Sequence, residues 1–248
     1  MQIWQAAFGA LVGAVGASFA ATSALRALEG RQALVGRSAC DACGQPLGFA
    51  ATVPIASYVF LGGRCQACNA PISCAHPLAE TLGLVAGITS FSLLPPVQAL
   101  TALTLSLVLI ATSIIDHYSR RLPDRLTLAV VVLAATLGAL KGTLLWGLFA
   151  AGVAFLTLET LRRVIRSRRG DPGLGLGDVK LIAALALWLG AATPWAVVAA
   201  ALLGLMAMGA TRPVDGRIAF GPAIAAAAFV VGLIAHQAVL PIAAGGGV

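Results

Sequence analysis

The sequence predicts an all-α protein, a polytopic membrane bundle of about eight helices with one small polar insertion. Three observations carry this. Of the 248 residues, 59% are hydrophobic and only 10% charged, with a mean hydropathy of +0.95; a soluble domain is about 45–50% apolar and about 25% charged. The apolar residues fall into long runs separated by short basic loops. The one sizeable polar stretch, residues 26–76, carries two C-x-x-C pairs.

A helix needs about 20 apolar residues to cross the hydrocarbon core. Eight runs are candidates in turn: Ile3–Leu25, Pro77–Leu94, Val97–Ile115, Leu126–Leu140, Thr143–Leu161, Val179–Leu189, Pro194–Gly209 and Ile218–Leu240. The first has no basic residues before it and is too long for a cleaved signal, so it reads as a span. The sixth and seventh are short and joined by Gly190–Thr193. They are either two helices or one hairpin dipping into the bilayer. The chain thus divides into a first helix (1–25), a polar insertion (26–76) and a helix bundle (77–248).

The loops fix the expected orientation. Arg26, Arg31, Arg37 and Arg64 lie in the insertion. Arg120, Arg121 and Arg125 follow the third run, and Arg162, Arg163, Arg166, Arg168 and Arg169 follow the fifth. Arg212 and Arg217 follow the seventh, and Lys180 opens the sixth on the same face. The opposite face holds Lys141 alone. Basic residues stay cytoplasmic, so both termini are expected outside and the insertion inside. The net charge of +7 is explained by this threading and does not point to nucleic acid. Aromatic residues are only 6% of the chain, too few for base-stacking surfaces.

Cys40-Asp41-Ala42-Cys43 and Cys65-Gln66-Ala67-Cys68 have the spacing of a four-thiolate zinc site. Gly44, Gly62 and Gly63 stand where tight turns are needed. Two disulfides are the alternative, against which the reducing cytoplasm weighs. Four protein ligands leave no open position, so the metal's role would be structural. An insertion of this size builds little core, so binding would supply much of its folding energy. Cys74 is left over and reads as a small apolar filler.

Ionisable groups at the ends of spans are costly and mark functional sites. Asp116 ends the third run in SIIDHYSRRLPD, and Asp178 opens the sixth in GLGLGDVKL. The threading puts both on one face. Two carboxylates side by side do not both ionise easily, so one can hold a proton while the other activates a water against a peptide carbonyl. The glycines before Asp178 let a peptide backbone approach. Taken singly, Asp178 is also a candidate helix cap and Asp116 a partner for Arg120 or Arg121. Glu159 is expected to pair with Arg162 or Arg163, and Asp124 to cap the helix after Pro123. His76, His117 and His236 are scattered, and no serine or cysteine triad competes.

These pieces together resemble the prepilin peptidases, also called prepilin leader peptidase/N-methyltransferases. The likeness runs through the paired C-x-x-C motifs around VPIASYVFLGGRC, PLAE at 77–80, IDHYSRRLPD at 115–124, GLGLGDVKL at 173–181 and FGP at 220–222. The resemblance implies an aspartic endopeptidase of the bacterial inner membrane. Such an enzyme removes the basic cytoplasmic leader from prepilins or pseudopilins, in pilus assembly or type II secretion. N-methylation of the new terminus with S-adenosylmethionine follows in many members. It places catalysis on Asp116 and Asp178 and zinc on Cys40, Cys43, Cys65 and Cys68. Two positions depart from the family pattern. Ala21 stands where an asparagine is common, and Ala75-His76 replace an arginine–tyrosine pair before Pro77. Both fall in the part tied to methyl transfer rather than cleavage, and Glu80 there is retained. The competing reading is a non-enzymatic scaffold whose zinc loop docks a cytoplasmic partner. A transporter is disfavoured, because no acid sits near the middle of a span.

Overall fold

The computed structural model describes residues 2–32, 36–170, 173–211 and 218–244. Asp171, Arg212, Asp215 and Arg217 lie outside the described residues. Among the described residues the fold is all-helical, with no strand beyond two isolated bridges. The chain forms two compact units, Met1–Ala99 and Leu100–Val248.

In the first unit, α1 (Gln2–Leu28) packs along α3 (Ala75–Leu93). The reason lies in small residues. Gly9 and Gly13 of α1 face Gly83 and Gly87 of α3, and a Cβ on any of the four would collide with backbone or Cβ atoms across the seam. This is the close helix approach that G-x-x-x-G spacing permits in membranes, where backbones meet without intervening side chains. Ala14, Ala17, Ala21 and Ala24 continue the buried stripe on α1. The opposite side of α1 shows Ile3, Trp4, Phe8, Leu11, Val15 and Phe19 exposed, as a lipid-facing surface would. Between the two helices lies the insertion, with one short helix, α2 (Ala56–Phe60), and a 3₁₀ turn at Phe49–Thr52.

In the second unit, α4 (Pro96–Ser119), α5 (Asp124–Leu140), α6 (Leu144–Arg169), α7 (Leu176–Leu189), α8 (Thr193–Thr211) and α9 (Gly221–Ala244) follow in order. The centre is α7, which packs against α5, α6 and α9, while α8 packs on α9. Nearly every residue from Val179 to Leu189 is buried. That explains a short helix that is apolar all round. Its neighbours carry glycines where they touch it: Gly138 and Gly147 lie against the Leu187 carbonyl, and Gly232 lies against the Trp188 ring.

The eight expected runs each coincide with a helix, but their ends move. The third run extends past Asp116 to Ser119, and the fifth continues through the arginines to Arg169, because arginine is itself a good helix former. The sixth and seventh are two helices, separated by a 3₁₀ turn at Gly190–Ala192 with Gly190 at φ +53°. By length and composition, four stretches are long and apolar enough to cross a membrane: Ile3–Leu28, Pro96–Ser119, Leu144–Arg168 and Leu176–Ala210. The last joins α7 and α8 into one stretch, and Gly221–Gln237 is a shorter apolar helix.

Candidate active site and metal centre

The two C-x-x-C segments fold into matching turns. The Cys40 N–H donates to the Gln45 carbonyl at 2.9 Å, and the Cys65 N–H to the Ala70 carbonyl at 2.9 Å. Gly44 donates back to Cys40 at 2.8 Å, and Asn69 to Cys65 at 2.9 Å. Gly44 and Asn69 hold the same place with positive φ, +71° and +61°, which glycine and asparagine tolerate best. Each turn is closed by a bridge, Ala39 with Pro46 and Arg64 with Pro71. The sequence already carries this repeat as C-x-A-C-[GN]-x-P, but only the backbone shows that the two halves are equivalent.

The turns bring the sulfurs of Cys40, Cys43, Cys65 and Cys68 within 4.8 Å of one another, with Cys40 and Cys68 Sγ atoms 3.8 Å apart. All four are free thiols, so the disulfide alternative gains no support. Sulfurs about 2.3 Å from a tetrahedral ion would stand about 3.8 Å apart, and the cluster could hold a metal. Backbone N–H groups of Cys68 and Ala67 pull the Cys65 thiol down to about 7. Cys68 also receives the Ala70 N–H, yet the neighbouring thiols and burial outweigh it and push it up to about 12.

Beside this cluster, still within the first unit, lies a cavity of about 520 Å³ lined by Ser18, Thr22, Arg26, Tyr58, His76 and Glu80 among others. Glu80 is buried and serves as a hub. It accepts the Ser18 hydroxyl at 2.7 Å and the Ile55 N–H at 2.6 Å. Ile55 is held at φ +62°, a costly conformation for a β-branched residue. Burial holds His76 below its ordinary pKa, with partial opposition from Glu80 and Asp41.

In the second unit, Asp116 occupies the last turn of α4 and Asp178 the first turn of α7. The fold brings them close enough for their charges to repel. Asp116 is 5% exposed, and its Oδ2 accepts the Gly221 N–H at 2.8 Å. Gly221 is the first residue of α9, so the carboxylate sits at a helix N-terminus that favours negative charge. Asp178 accepts the N–H of Gly175, the residue capping α7. Gly175 takes the cap position of α7, so Asp178 is not the cap expected from the sequence but stands three residues on, in the first turn. Leu122 closes over the glycine loop, since a Cβ on Gly177 would lie 3.0 Å from its Cβ.

Other acids have different tasks. Glu159 pairs with Arg162 at 3.2 Å and Arg163 at 2.8 Å, as expected. Asp124 does not cap α5: Pro123 takes the cap position, and Asp124 reaches Lys180 at 2.8 Å instead. His117 is exposed, with its ring edge-on to Tyr118. Gly221 belonged to a quoted motif, but its bond to Asp116 is visible only in three dimensions.

Fold and site together define a helical membrane protein with a four-cysteine insertion and two aspartates, one of them buried, at the ends of separate helices. Comparison with known proteins gives the family. The Bacterial Peptidase A24 N-terminal domain matches residues 11–93, and the Type IV leader peptidase family matches residues 103–209. A prepilin leader peptidase/N-methyltransferase of Aeromonas hydrophila is 35% identical over 211 residues, covering 79% of this chain and 71% of that protein. One of Burkholderia pseudomallei is 36% identical over 208 residues, covering 77% and 65%. One of Neisseria gonorrhoeae is 34% identical over 199 residues, covering 78% and 70%. The chain belongs to the prepilin leader peptidase/N-methyltransferase family. No solved structure matches it.

Proposed function

We propose that this chain is a membrane aspartic endopeptidase that removes the basic leader from prepilins or pseudopilins and then methylates the new N-terminus. The observation that carries the cleavage is the convergence of Asp116 and Asp178 from two separate helices, with Asp116 buried and oriented by Gly221. In the proposed mechanism one carboxylate takes a proton from water. The resulting hydroxyl oxygen bonds to the scissile carbonyl carbon. The other carboxyl, protonated beforehand, gives its proton to the leaving nitrogen as the C–N bond breaks. No covalent enzyme intermediate forms, and the proton shared before reaction belongs to the pair. Both residues end or begin apolar helices, the depth at which a substrate helix emerges into water.

The site sits in the helix bundle (77–248), and the insertion (26–76) is the proposed zinc-binding domain, held to the first helix (1–25). Zinc suits four thiolates at tetrahedral spacing. S-adenosylmethionine would supply the methyl group, and the cavity beside the cysteines fits it in size and polarity. Arg26 offers a cation for its carboxylate, while Asp41 and Glu80 offer anions for its positive groups. Ala21 is buried on the stripe that faces α3, whereas Ser18 and Thr22 line the cavity. Loss of the family's asparagine therefore leaves the polar wall in place. The arginine distribution supports a bacterial inner-membrane setting with insertion and aspartates cytoplasmic and both termini outside.

The test is purified protein in detergent with a prepilin and S-adenosylmethionine, read by mass spectrometry. Wild type should remove the leader, and Asp116→Asn and Asp178→Asn should not. A further gain of about 14 Da, one methyl group, marks the second activity. Cleavage by either aspartate variant at the wild-type rate sinks the mechanism.

A further inference from the structure

The insertion does not stand clear of the helices. Ser18, on α1, lies seven positions before Leu25, the end of the first apolar run. At 1.5 Å per residue that is about 10 Å back along the helix from its polar end. The Ser18 hydroxyl bonds Glu80, and Glu80 takes the Ile55 N–H at 2.6 Å. Glu80 itself lies three positions, about 5 Å, past Pro77, the start of the second apolar run, so the backbone at Ile55 is tied just inside the apolar stretches of both helices. The positive φ of Ile55 shows the chain bent sharply at this tie.

Either side of this tie the insertion displays large apolar side chains. Phe49 is 90% exposed, Phe60 88% and Val59 68%. Scattered apolar residues on a surface need no explanation, but two nearly bare phenylalanines in a segment of a dozen residues do. The same two helices show Leu78 and Leu82 of α3 and Phe19 of α1 exposed. These are close along the helices to Ser18 and Glu80, on surfaces that suit lipid.

We infer that residues 49–61 form a membrane-interfacial segment, with Phe49, Val59 and Phe60 inserted at the boundary of headgroups and acyl chains. The partner is the bilayer surface itself. The depth of the Glu80 tie and the continuity with lipid-facing helix surfaces favour lipid over a protein partner. Apolar side chains at that boundary are stabilised as those of interfacial helices are. The inference does not depend on the peptidase reading or on which face is cytoplasmic. It makes the insertion a structure seated on the membrane rather than a freely soluble domain.

The experiment places the photoreactive residue p-benzoylphenylalanine at position 60, and separately at position 49, in the full chain reconstituted in lipid nanodiscs. Both positions are open enough to accept the larger ring. Position 11 on α1, where Leu11 is 65% exposed, is the membrane reference. After irradiation, lipid adducts are counted by mass spectrometry, with and without a prepilin. Adduct yields at 60 and 49 comparable with that at 11 are expected. Yields that fall well short at both positions overturn the inference. Replacement of the lipid adducts by cross-links to an added prepilin also overturns it, and makes the segment a substrate-docking surface.

Discussion

Replacing Gly221 by alanine should slow cleavage without unfolding the protein. Gly221 begins α9 and is not among the residues with positive φ, so alanine strains no backbone there. The cost is steric. A Cβ would lie 2.8 Å from Asp116 Oδ2 and 3.1 Å from its Cβ and Cγ. Asp116 is short, buried and confined to the last turn of α4. It must turn away from the Gly221 N–H to relieve the contact. A hydrogen bond to a charged acceptor contributes about 1.5–3 kcal/mol. If that orientation is needed in the transition state, kcat should fall by about 10- to 150-fold. KM should change little, because the substrate does not need this bond to dock. Gly204→Ala is the control for packing, since its Cβ would meet the Phe220 ring at 2.8 Å. That variant should lower Tm and leave the ratio of kcat to KM effects without this split. The assay is leader cleavage by purified protein at several prepilin concentrations, with melting curves alongside. Full kcat in Gly221→Ala, while Asp116→Asn is inactive, would refute the positioning argument but leave the aspartate pair intact. Activity in Asp116→Asn would instead remove the pair itself.

Three further outcomes are expected. Removing metal with a chelator, or changing Cys43 to serine, should expose residues 40–68 to proteolysis while circular dichroism of the long helices stays near its starting value; an insertion as resistant after verified metal loss as before would contradict this. Gly87→Leu should destabilise the first unit by about 1–3 kcal/mol or more, because a side chain there strikes the backbone at Gly9; an unchanged melting curve would show that the α1–α3 seam is looser than its glycines require. Lys180→Ala should cost only about 0–1 kcal/mol of stability, read from melting curves, because its side chain is 40% and that of Asp124 81% exposed; a loss of several kcal/mol would mean the pair is shielded from water in the membrane.

What could be read from the sequence depended on how far apart the interacting residues lie along the chain. Helix positions were legible because apolar runs are local, and the four cysteines because thiolate spacing within each knuckle is local. Asp116 and Asp178 were legible by threading, which places helix ends on a face without saying how near they come. The helix ends were less so: α4 and α6 run on through charged residues, since hydropathy marks the membrane and helix propensity marks the helix. Asp124 was misread as a cap because Pro123 already holds that position, which frees the side chain for a lysine that begins a distant helix. The Gly9, Gly13, Gly83 and Gly87 seam carried a visible spacing, yet many glycines share that spacing without facing one another. Gly221 and Ile55 were the least legible. Each contributes a backbone N–H, which every residue except proline possesses and no side-chain pattern announces. Both N–H groups nevertheless end on buried carboxylates, Asp116 and Glu80, one in each unit. Burying a carboxylate is costly, and a fixed donor offsets part of that cost. In both units, then, the acid that composition reveals is held by a backbone group that composition hides.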